Sequence, residues 1–260
     1  MNKYKIGFIG YGKMARAIAR YLGESGYTAI LASDPVFDCT TGKGVQLFND
    51  NKRLVLDCDI IFLSVKPQTA ADALKGIDFT GKIVISIMAG LTLDKLVSIC
   101  FNVSKIVRVM PNLCAQVGKS VNAYTVVGLS QIEKSDIEAL LNTFGTAYNI
   151  DEKFFDAVTG ITGSAPAYVF RFVKNIIECG CDDGLSFEQS KNMVLDMTAG
   201  CAQFLAGADS LCQIQTMTDN VCSKGGTTIE GIKVLDGADF DDTVKCAVKS
   251  AIKRSKELGK

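Results

Sequence analysis

Short, almost continuously apolar runs alternate with amphipathic stretches along the first 150 residues. Because these runs are apolar at nearly every position, they predict strands of a parallel sheet buried on both faces. The predicted strands are residues 6–9, 28–32, 60–65, 83–87 and 106–110. Helical spacing predicts helices at residues 13–23, 93–100 and 133–142, and strands at 121–127 and 147–150 extend the sheet. The pattern predicts a doubly wound α/β domain over residues 1–150.

Long amphipathic stretches replace the strand pattern from Asp151 onward. They cover residues 165–179, 186–206 and 239–258, with no convincing strand between them. Their spacing predicts an all-α domain over residues 151–260. A domain of this size with long apolar faces is expected to bury some of them against a second subunit, and a helical bundle core is the alternative.

A glycine-rich turn follows the first predicted strand. Gly10, Gly12 and Ala15 form the Gly-x-Gly-x-x-Ala pattern at the start of a predicted helix. In this pattern the first glycine allows a tight turn, the second leaves room for a pyrophosphate, and the small third residue lets the helix approach the strand. Because a strand precedes the turn and a helix follows it, we predict a Rossmann-type dinucleotide-binding domain.

A second glycine turn lies near the other end of the chain. Gly225 and Gly226 are flanked by the hydroxyl residues Ser223, Thr227 and Thr228, and an apolar-periodic segment follows at once. Backbone N–H groups at glycines can approach a ligand closely, and a following helix adds partial positive charge. Such a turn suits a carboxylate or a phosphate. The alternative is that these hydroxyls only cap the helix.

Composition narrows the choice of partners and chemistry. Lys plus Arg and Asp plus Glu both number 28, so no net field would recruit nucleic acid or an anionic membrane. No apolar stretch approaches the ~20 residues that span a bilayer. The first residues lead directly into the predicted fingerprint strand, so we expect no targeting segment.

The cysteines and the absence of histidine bear on the chemistry. The ten cysteines lie mostly inside apolar runs without a Cys-x-x-Cys pair, and the chain contains no histidine. This pattern favours the reduced, buried thiols of a cytoplasmic protein over disulfides or a metal site. Because no imidazole is present, Lys, Tyr, Ser, Thr, carboxylates or the substrate itself must supply any acid–base chemistry.

Five segments in this order resemble the pyrroline-5-carboxylate reductase family. They are the fingerprint at residues 10–15, Val-Lys-Pro-Gln at 65–68, Arg-Val-Met-Pro-Asn at 108–112, residues 159–168 and residues 219–228. The resemblance covers nearly the whole chain. Lys224 stands where the family usually has Pro, and Ala165 where it usually has Gly. Because neither change removes a backbone donor, we expect activity to survive.

The resemblance implies reduction of the cyclic imine 1-pyrroline-5-carboxylate to L-proline, the last step of proline synthesis, with NADPH or NADH. It also implies a homodimer or larger assembly, with the helical half as the dimerisation domain. The implied substrate-binding residues are Ser223, Gly225, Gly226, Thr227, Thr228, Ser164 and Thr162, with Thr228 and Lys66 catalytic. The implied cofactor-binding residues are Gly10, Tyr11, Gly12, Lys13, Met14, Ser33, Asp34, Asn51, Val65, Lys66, Pro67 and Asn112.

Several of these residues also have plainer explanations. Thr228 is expected to bond the substrate carboxylate or ring nitrogen, or to be a capping hydroxyl. Lys66 ends an apolar strand, where α/β sheets place ligands, and the alternative is a solvated lysine. Asn51 on sequence alone is a polar loop residue. Ser164 with Pro166 is explained structurally as a helix cap with a first-turn proline.

Residues after the second predicted strand bear on whether NADH or NADPH is preferred. Asp34 lies ~20 residues beyond the fingerprint, as expected for the partner of the ribose 2′-OH. Pro35 could instead turn Asp34 away as a solvated residue. Against a preference for NADH, Ser33 could bond a 2′-phosphate, and Lys43 or Lys52 could neutralise it.

Two other functions are alternatives to this one. The β-hydroxyacid dehydrogenases also combine a Rossmann domain with helices, but they need a Gly-x-x-Gly-x-x-x-Lys-x-x-x-Asn helix. Gly160 and Gly163 match that pattern, whereas Ala167 and Arg171 occupy the Lys and Asn positions. The second alternative is a catalytically silent nucleotide-binding protein, which the intact glycine turn at residues 225–228 argues against.

Overall fold

A single eight-stranded sheet forms the first part of the molecule. The computed structural model of the protein describes residues 4–35 and 45–259. The strand order is β3-β2-β1-β4-β5-β6-β7-β8, and all neighbours are parallel except β6 and β7. The strands are β1 Ile6–Ile9, β2 Ile30–Ser33, β3 Val45–Phe48, β4 Ile60–Leu63, β5 Ile83–Ser86, β6 Lys105–Met110, β7 Ser120–Val127 and β8 Gly145–Asn149.

The predicted fold class, a doubly wound sheet followed by helices, is confirmed. The helices are α1 Lys13–Glu24, α2 Asn51–Asp57, α3 Ala70–Leu74, α4 Leu93–Ile99, α5 Gln131–Leu141, α6 Phe155–Val158, α7 Ala165–Asp182, α8 Phe187–Leu205, α9 Leu211–Val221, α10 Thr227–Gly237 and α11 Phe240–Leu258. The sequence prediction missed β3, the short helices α2, α3 and α6, and the longer helix α9. β3 is a four-residue edge strand with no fully buried residue, so it lacks the apolar run that marked the other strands.

Four parallel strands end at the same edge of the sheet. Ile9 at the end of β1 is in register with Ser33 of β2 and with Leu63 of β4, and Leu63 pairs with Ser86 of β5. The chain leaves β1 towards β2 on one side and returns to β4 on the other. Ligands of open α/β sheets bind at such a switch point, outside the carboxyl ends of the strands.

The sheet is buried on both faces, as its apolar strands predict. Alternate residues of β1 point to opposite faces, so that Phe8 belongs to one apolar core and Ile9 to the other. On the first face Phe8 stacks on Phe62 with ring centroids 4.7 Å apart. Packing on both faces fixes where β1 and β4 end, and therefore the geometry of the switch point.

The second part of the chain buries little of its own surface. Contacts divide the chain into one unit of residues 1–163 with 251–260 and another of residues 164–250. Within the second unit, α9 and α10 have no buried residue, and α8 buries only Ser190 and Val194. The described residues from 151 to 259 contain no strand, as expected. The predicted boundary at residue 150, between a dinucleotide-binding domain and a helical domain, stays a prediction.

None of the described helices combines the length and apolar character required to cross a membrane.

A charged pair joins β6 to the start of α5. The Nζ of Lys105 donates to Oε1 of Glu133 at 2.6 Å, and Oε2 of Glu133 accepts from the backbone N of Ser130 at 2.8 Å. These bonds, that of Lys105 first, lower the pKa of Glu133 from 4.5 to about 2. Because the folded-state pKa is depressed, the stabilisation is complete above about pH 4.5 and is lost as the pH falls towards 2.

We expect Glu133→Gln to lower the free energy of unfolding by about 1 kcal/mol at pH 7. The difference from the wild type should shrink between pH 4.5 and 2, because protonation removes the same charge from the wild type. Chemical denaturation at several pH values measures it. Asp151→Asn is the control, since the Asp151–Lys153 pair is exposed and should contribute nothing measurable. A pH-independent difference would contradict the assignment.

Candidate functional site

The fingerprint turn leaves open space at the start of α1. Gly10 has φ +86°, and a Cβ there would lie 2.9 Å from the carbonyl of Ser64, so the fold itself requires this glycine. Gly12 has an ordinary φ of −71°. A Cβ at Gly12 would meet no atom within 4 Å among the described residues. The protein's own packing therefore does not explain Gly12, whereas a pyrophosphate bound at the helix start does.

Two helices, α1 and α10, begin directly after a glycine and have no capping side chain. Side chains of Asp50, Thr92, Ser130, Ser186 and Ser210 accept backbone hydrogen bonds at the starts of α2, α4, α5, α8 and α9. The residues before α1 and α10 are Gly12 and Gly226, and neither helix has a side-chain cap. Their first N–H groups remain available to a ligand anion.

Asp34 lies against the fingerprint turn. Its Oδ2 accepts a hydrogen bond from the backbone N of Tyr11 at 2.8 Å. The alternative that Pro35 turns Asp34 into solvent is therefore wrong. Ser33 is buried at the end of β2.

Lys43 and Lys52 are the two lysines predicted as partners of a ribose 2′-phosphate. Lys43 lies outside the described residues. The Lys52 side chain ends beside Gly76, where a Cβ would lie 3.3 Å from its Nζ.

The turn that carries Lys66 is bonded to the fingerprint turn. The Oγ of Ser64 donates to the carbonyl oxygen of Gly10 at 2.8 Å. Val65 is half-buried, and Pro67 begins a short 3₁₀ helix that ends at Thr69. Lys66 is exposed and has no ion pair within the part of the chain that the structure describes. Its ammonium group is therefore able to contact a ligand at this edge.

Both predicted asparagines have protein partners. The Nδ2 of Asn51 donates to the carbonyl oxygen of Ala73 at 3.0 Å. The Oδ1 of Asn112 accepts from the backbone N of Cys114 and of Val121, and its Nδ2 donates to the carbonyl oxygen of Thr162 at 3.1 Å. The Asn112 side chain therefore hydrogen-bonds to three backbone segments. Its contact with the nicotinamide stays a prediction.

Thr162 and Ser164 lie in a π-helical turn, Thr159–Ser164, immediately before α7. The Thr162 hydroxyl donates to the carbonyl oxygen of Val158 at 2.9 Å. Ser164 has helical backbone angles and makes no capping bond, so its interpretation as a helix cap is wrong. Single π-helical turns occur frequently at functional sites.

The second glycine turn is tight and open to solvent. The backbone N of Gly226 donates to the carbonyl oxygen of Ser223 at 3.0 Å. Gly225 requires glycine because its φ is +74°, and a Cβ at Gly226 would overlap Oγ of Ser223. Thr227 and Thr228 are exposed, and neither caps α10. The capping interpretation of these hydroxyls is therefore wrong, and Thr228 is able to meet a ligand.

The sequence prediction missed the loop after β5, residues 87–91. β5 is the parallel neighbour of β4, so its carboxyl end opens at the same edge as the Lys66 turn. The backbone N of Met88 donates to Oγ of Ser86 at 3.3 Å, and Gly90 has φ +80°. The rule that selected Lys66 could also have selected this loop, because a predicted strand ended at residue 87.

The structure brings the fingerprint turn, Asp34 and the Lys66 turn to one edge of the sheet. Ser164 and the Ser223–Thr228 turn belong to the other unit. Among residues 4–35 and 45–259, no cluster of three or more His, Cys, Asp or Glu side chains suits a metal ion.

Comparison with known proteins agrees with this arrangement. A family model described as pyrroline-5-carboxylate reductase dimerisation matches residues 152–258. A model described as NADP oxidoreductase, coenzyme F420-dependent, matches residues 5–90.

Relatives match over nearly their whole length. The pyrroline-5-carboxylate reductase of Aquifex aeolicus is 36% identical, with 98% of this chain and 97% of the relative covered. The Arabidopsis thaliana enzyme is 33% identical, with 99% and 96% covered. The solved structure of Plasmodium falciparum pyrroline carboxylate reductase, with NADP bound, covers 100% of both chains at 32% identity and a TM-score of 0.92. The chain belongs to the pyrroline-5-carboxylate reductase family.

Proposed function

We propose that the protein reduces 1-pyrroline-5-carboxylate to L-proline with NADPH or NADH. The observation that carries this is the pair of uncapped helix starts, each behind a glycine turn. The turn at Gly12 leaves open space at the start of α1 for a pyrophosphate, and the turn at Gly225 and Gly226 presents backbone donors and hydroxyls suited to a carboxylate. Family membership over nearly the full chain supports the same reaction.

The reaction requires little of the protein beyond orienting the imine and the reduced nicotinamide. The reduced nicotinamide supplies a hydride to the imine carbon, and the ring nitrogen keeps its proton, so that C=N becomes CH–NH. A protonated imine is already a good electrophile, so a chain without histidine is adequate. The N–H groups of Gly225, Thr227 and Thr228 at the start of α10 hold the carboxylate, and the Thr228 hydroxyl bonds the carboxylate or the ring nitrogen.

The cofactor residues divide by strand. The start of α1, with Gly12 and Lys13, holds the pyrophosphate. Asp34 at the end of β2 contacts the adenosine ribose. Lys66 at the end of β4 contacts the pyrophosphate or the nicotinamide.

A spectrophotometric assay tests the proposal. Loss of reduced nicotinamide absorbance is followed with 1-pyrroline-5-carboxylate as substrate, comparing NADH with NADPH. Purified protein that binds the dinucleotide but shows no imine-dependent oxidation would overturn the function. That outcome would favour the catalytically silent alternative.

We expect Asp34→Ser to shift the ratio of kcat/KM values towards NADPH. The carboxylate repels a 2′-phosphate and accepts hydrogen bonds from a ribose 2′-OH, so its removal favours the phosphorylated cofactor by roughly tenfold, the usual scale of one charge-assisted hydrogen bond. Steady-state kinetics with both cofactors measures the ratio.

Asp59→Ser is the matched control for this ratio. Asp59 also accepts a backbone hydrogen bond, from Lys5, but it lies just before β4, at the opposite edge of the sheet. It should leave the ratio unchanged. An unchanged ratio in Asp34→Ser would mean that Asp34 does not contact the ribose.

The proposed assembly is a homodimer or a larger homo-oligomer built on the helical unit. It is supported by the match to a dimerisation model and by the exposed apolar faces of α8, α9 and α10. A cytoplasmic location stays a prediction from the cysteine pattern, and cell fractionation tests it.

A further inference from the structure

The loop at residues 87–91 borders the end of the proposed cofactor site where the nicotinamide would bind. The inference rests on the proposed function for this placement of the cofactor. Asp34 marks the adenosine ribose at the end of β2. The pyrophosphate lies at the start of α1, after β1. In the order β2-β1-β4-β5, the other end of the dinucleotide therefore lies over β4 and β5.

The C-terminal turn of α11 lies directly against this loop. A Cβ at Gly90 would lie 3.4 Å from the carbonyl oxygen of Leu258 and 3.8 Å from its Cβ. A Cβ at Gly259 would lie 3.4 Å from the carbonyl oxygen of Gly90. A Cβ at either position would therefore make only ordinary van der Waals contact, which shows that the helix end and the loop lie next to each other, so that a shift of one can move the other.

A partly buried hydrogen bond holds that turn. Ser255 is the only buried residue of α11, and its Oγ donates to Oδ1 of Asp156 at 2.6 Å. Leu258 is 60% exposed, so apolar burial does little to hold the helix end. A partly buried hydrogen bond of defined geometry specifies one position more strongly than exposed apolar contacts do.

The segment of residues 152–156, which contains Asp156, also bonds to the start of α4, just after the loop. Oε1 of Glu152 accepts from the backbone N of Leu93 at 2.7 Å and from Nη1 of Arg108 at 2.6 Å. Arg108 is buried and lies over the ring of Phe155, 4.4 Å from its centroid. Residues 152–156 thus anchor both the start of α4 and the end of α11.

We propose that Ser255 and Asp156 are positioning residues for the reduction. They hold the C-terminal turn of α11 against Gly90 and thereby set the loop at residues 87–91 where the nicotinamide must bind. Neither residue needs to touch the cofactor. Losing their bond loosens the nicotinamide end and leaves the adenosine end unchanged.

The test compares two ligands on Ser255→Ala. Reduced dinucleotide fills the whole site, whereas ADP fills only the adenosine and pyrophosphate side. We expect the dissociation constant for NADH and NADPH to rise roughly three- to tenfold, the scale of one lost hydrogen bond, with that for ADP unchanged. Ser255→Thr keeps the hydroxyl and should restore tight binding.

Arg254→Ala is the matched control on the same helix turn, because it breaks only the exposed pair with Glu257. It should change neither dissociation constant. Parallel weakening of ADP and dinucleotide, or no change in either, would overturn the proposal. The binding measurement needs no imine, so a protein that lacks imine reduction would disprove the proposed function without deciding the role of Ser255.

Discussion

Thr228→Ala is expected to lower kcat/KM for 1-pyrroline-5-carboxylate by roughly ten- to a thousandfold, the range for losing one or two hydrogen bonds to a charged or reacting group. Thr228 lies in the first turn of α10, is exposed and caps nothing. Its hydroxyl is therefore available to the substrate. Because the predicted contact is with the imine, affinity for the reduced cofactor should change little.

Two variants make this result specific. Thr228→Ser keeps a hydroxyl and should recover most of the activity. Thr218→Ala removes an exposed threonine of α9 whose hydroxyl bonds only the carbonyl oxygen of Ile214, and it should behave as wild type. Wild-type kinetics in Thr228→Ala would show that its hydroxyl is not used by the substrate.

Replacing Met193 and Met197 together by Glu is expected to dissociate the assembly and abolish activity. The two side chains lie one turn apart on α8 and are 58% and 45% exposed in the single chain. If a second copy covers them, two unpaired carboxylates must be buried, which weakens association by roughly a hundredfold or more. Analytical ultracentrifugation and the reductase assay measure the outcome.

Ile132→Glu is the control for assembly. Ile132 is 72% exposed on α5 of the sheet unit, so the same kind of charge is introduced outside the proposed interface. It should leave the mass and activity unchanged. Wild-type protein that sediments as a single 27.9 kDa chain at full activity would rule out the assembly, whatever the variants do.

Local patterns account for what could be predicted from the sequence. The apolar runs located β1 and β4 because a parallel strand buried on both faces admits no polar position. The glycine turns at Gly12 and Gly225 could be identified because backbone conformation and space are properties of single residues. β3 was missed because an edge strand carries no such run.

The remaining features depend on contacts between distant residues. Asn112 was predicted to contact the nicotinamide, and its bond to the carbonyl oxygen of Thr162, fifty residues later, could not be predicted. The hydrogen bond between Ser255 and Asp156 joins residues 99 positions apart. No periodicity or local motif encodes such pairs, so the anchoring of the loop at residues 87–91 emerged only from the three-dimensional structure.

The missing caps of α1 and α10 make ligand occupancy part of the protein's folding equilibrium. A capping side chain typically contributes about 1 kcal/mol to helix stability. Because α1 and α10 lack one, their first N–H groups can be satisfied only by water or a ligand. At the proposed sites, bound dinucleotide and substrate would act as external caps that the unfolded chain cannot hold. By mass action, a ligand at a hundred times its dissociation constant adds roughly 2.7 kcal/mol to stability. The cell's supply of cofactor therefore influences how long each molecule survives proteolysis, as well as how fast it turns over.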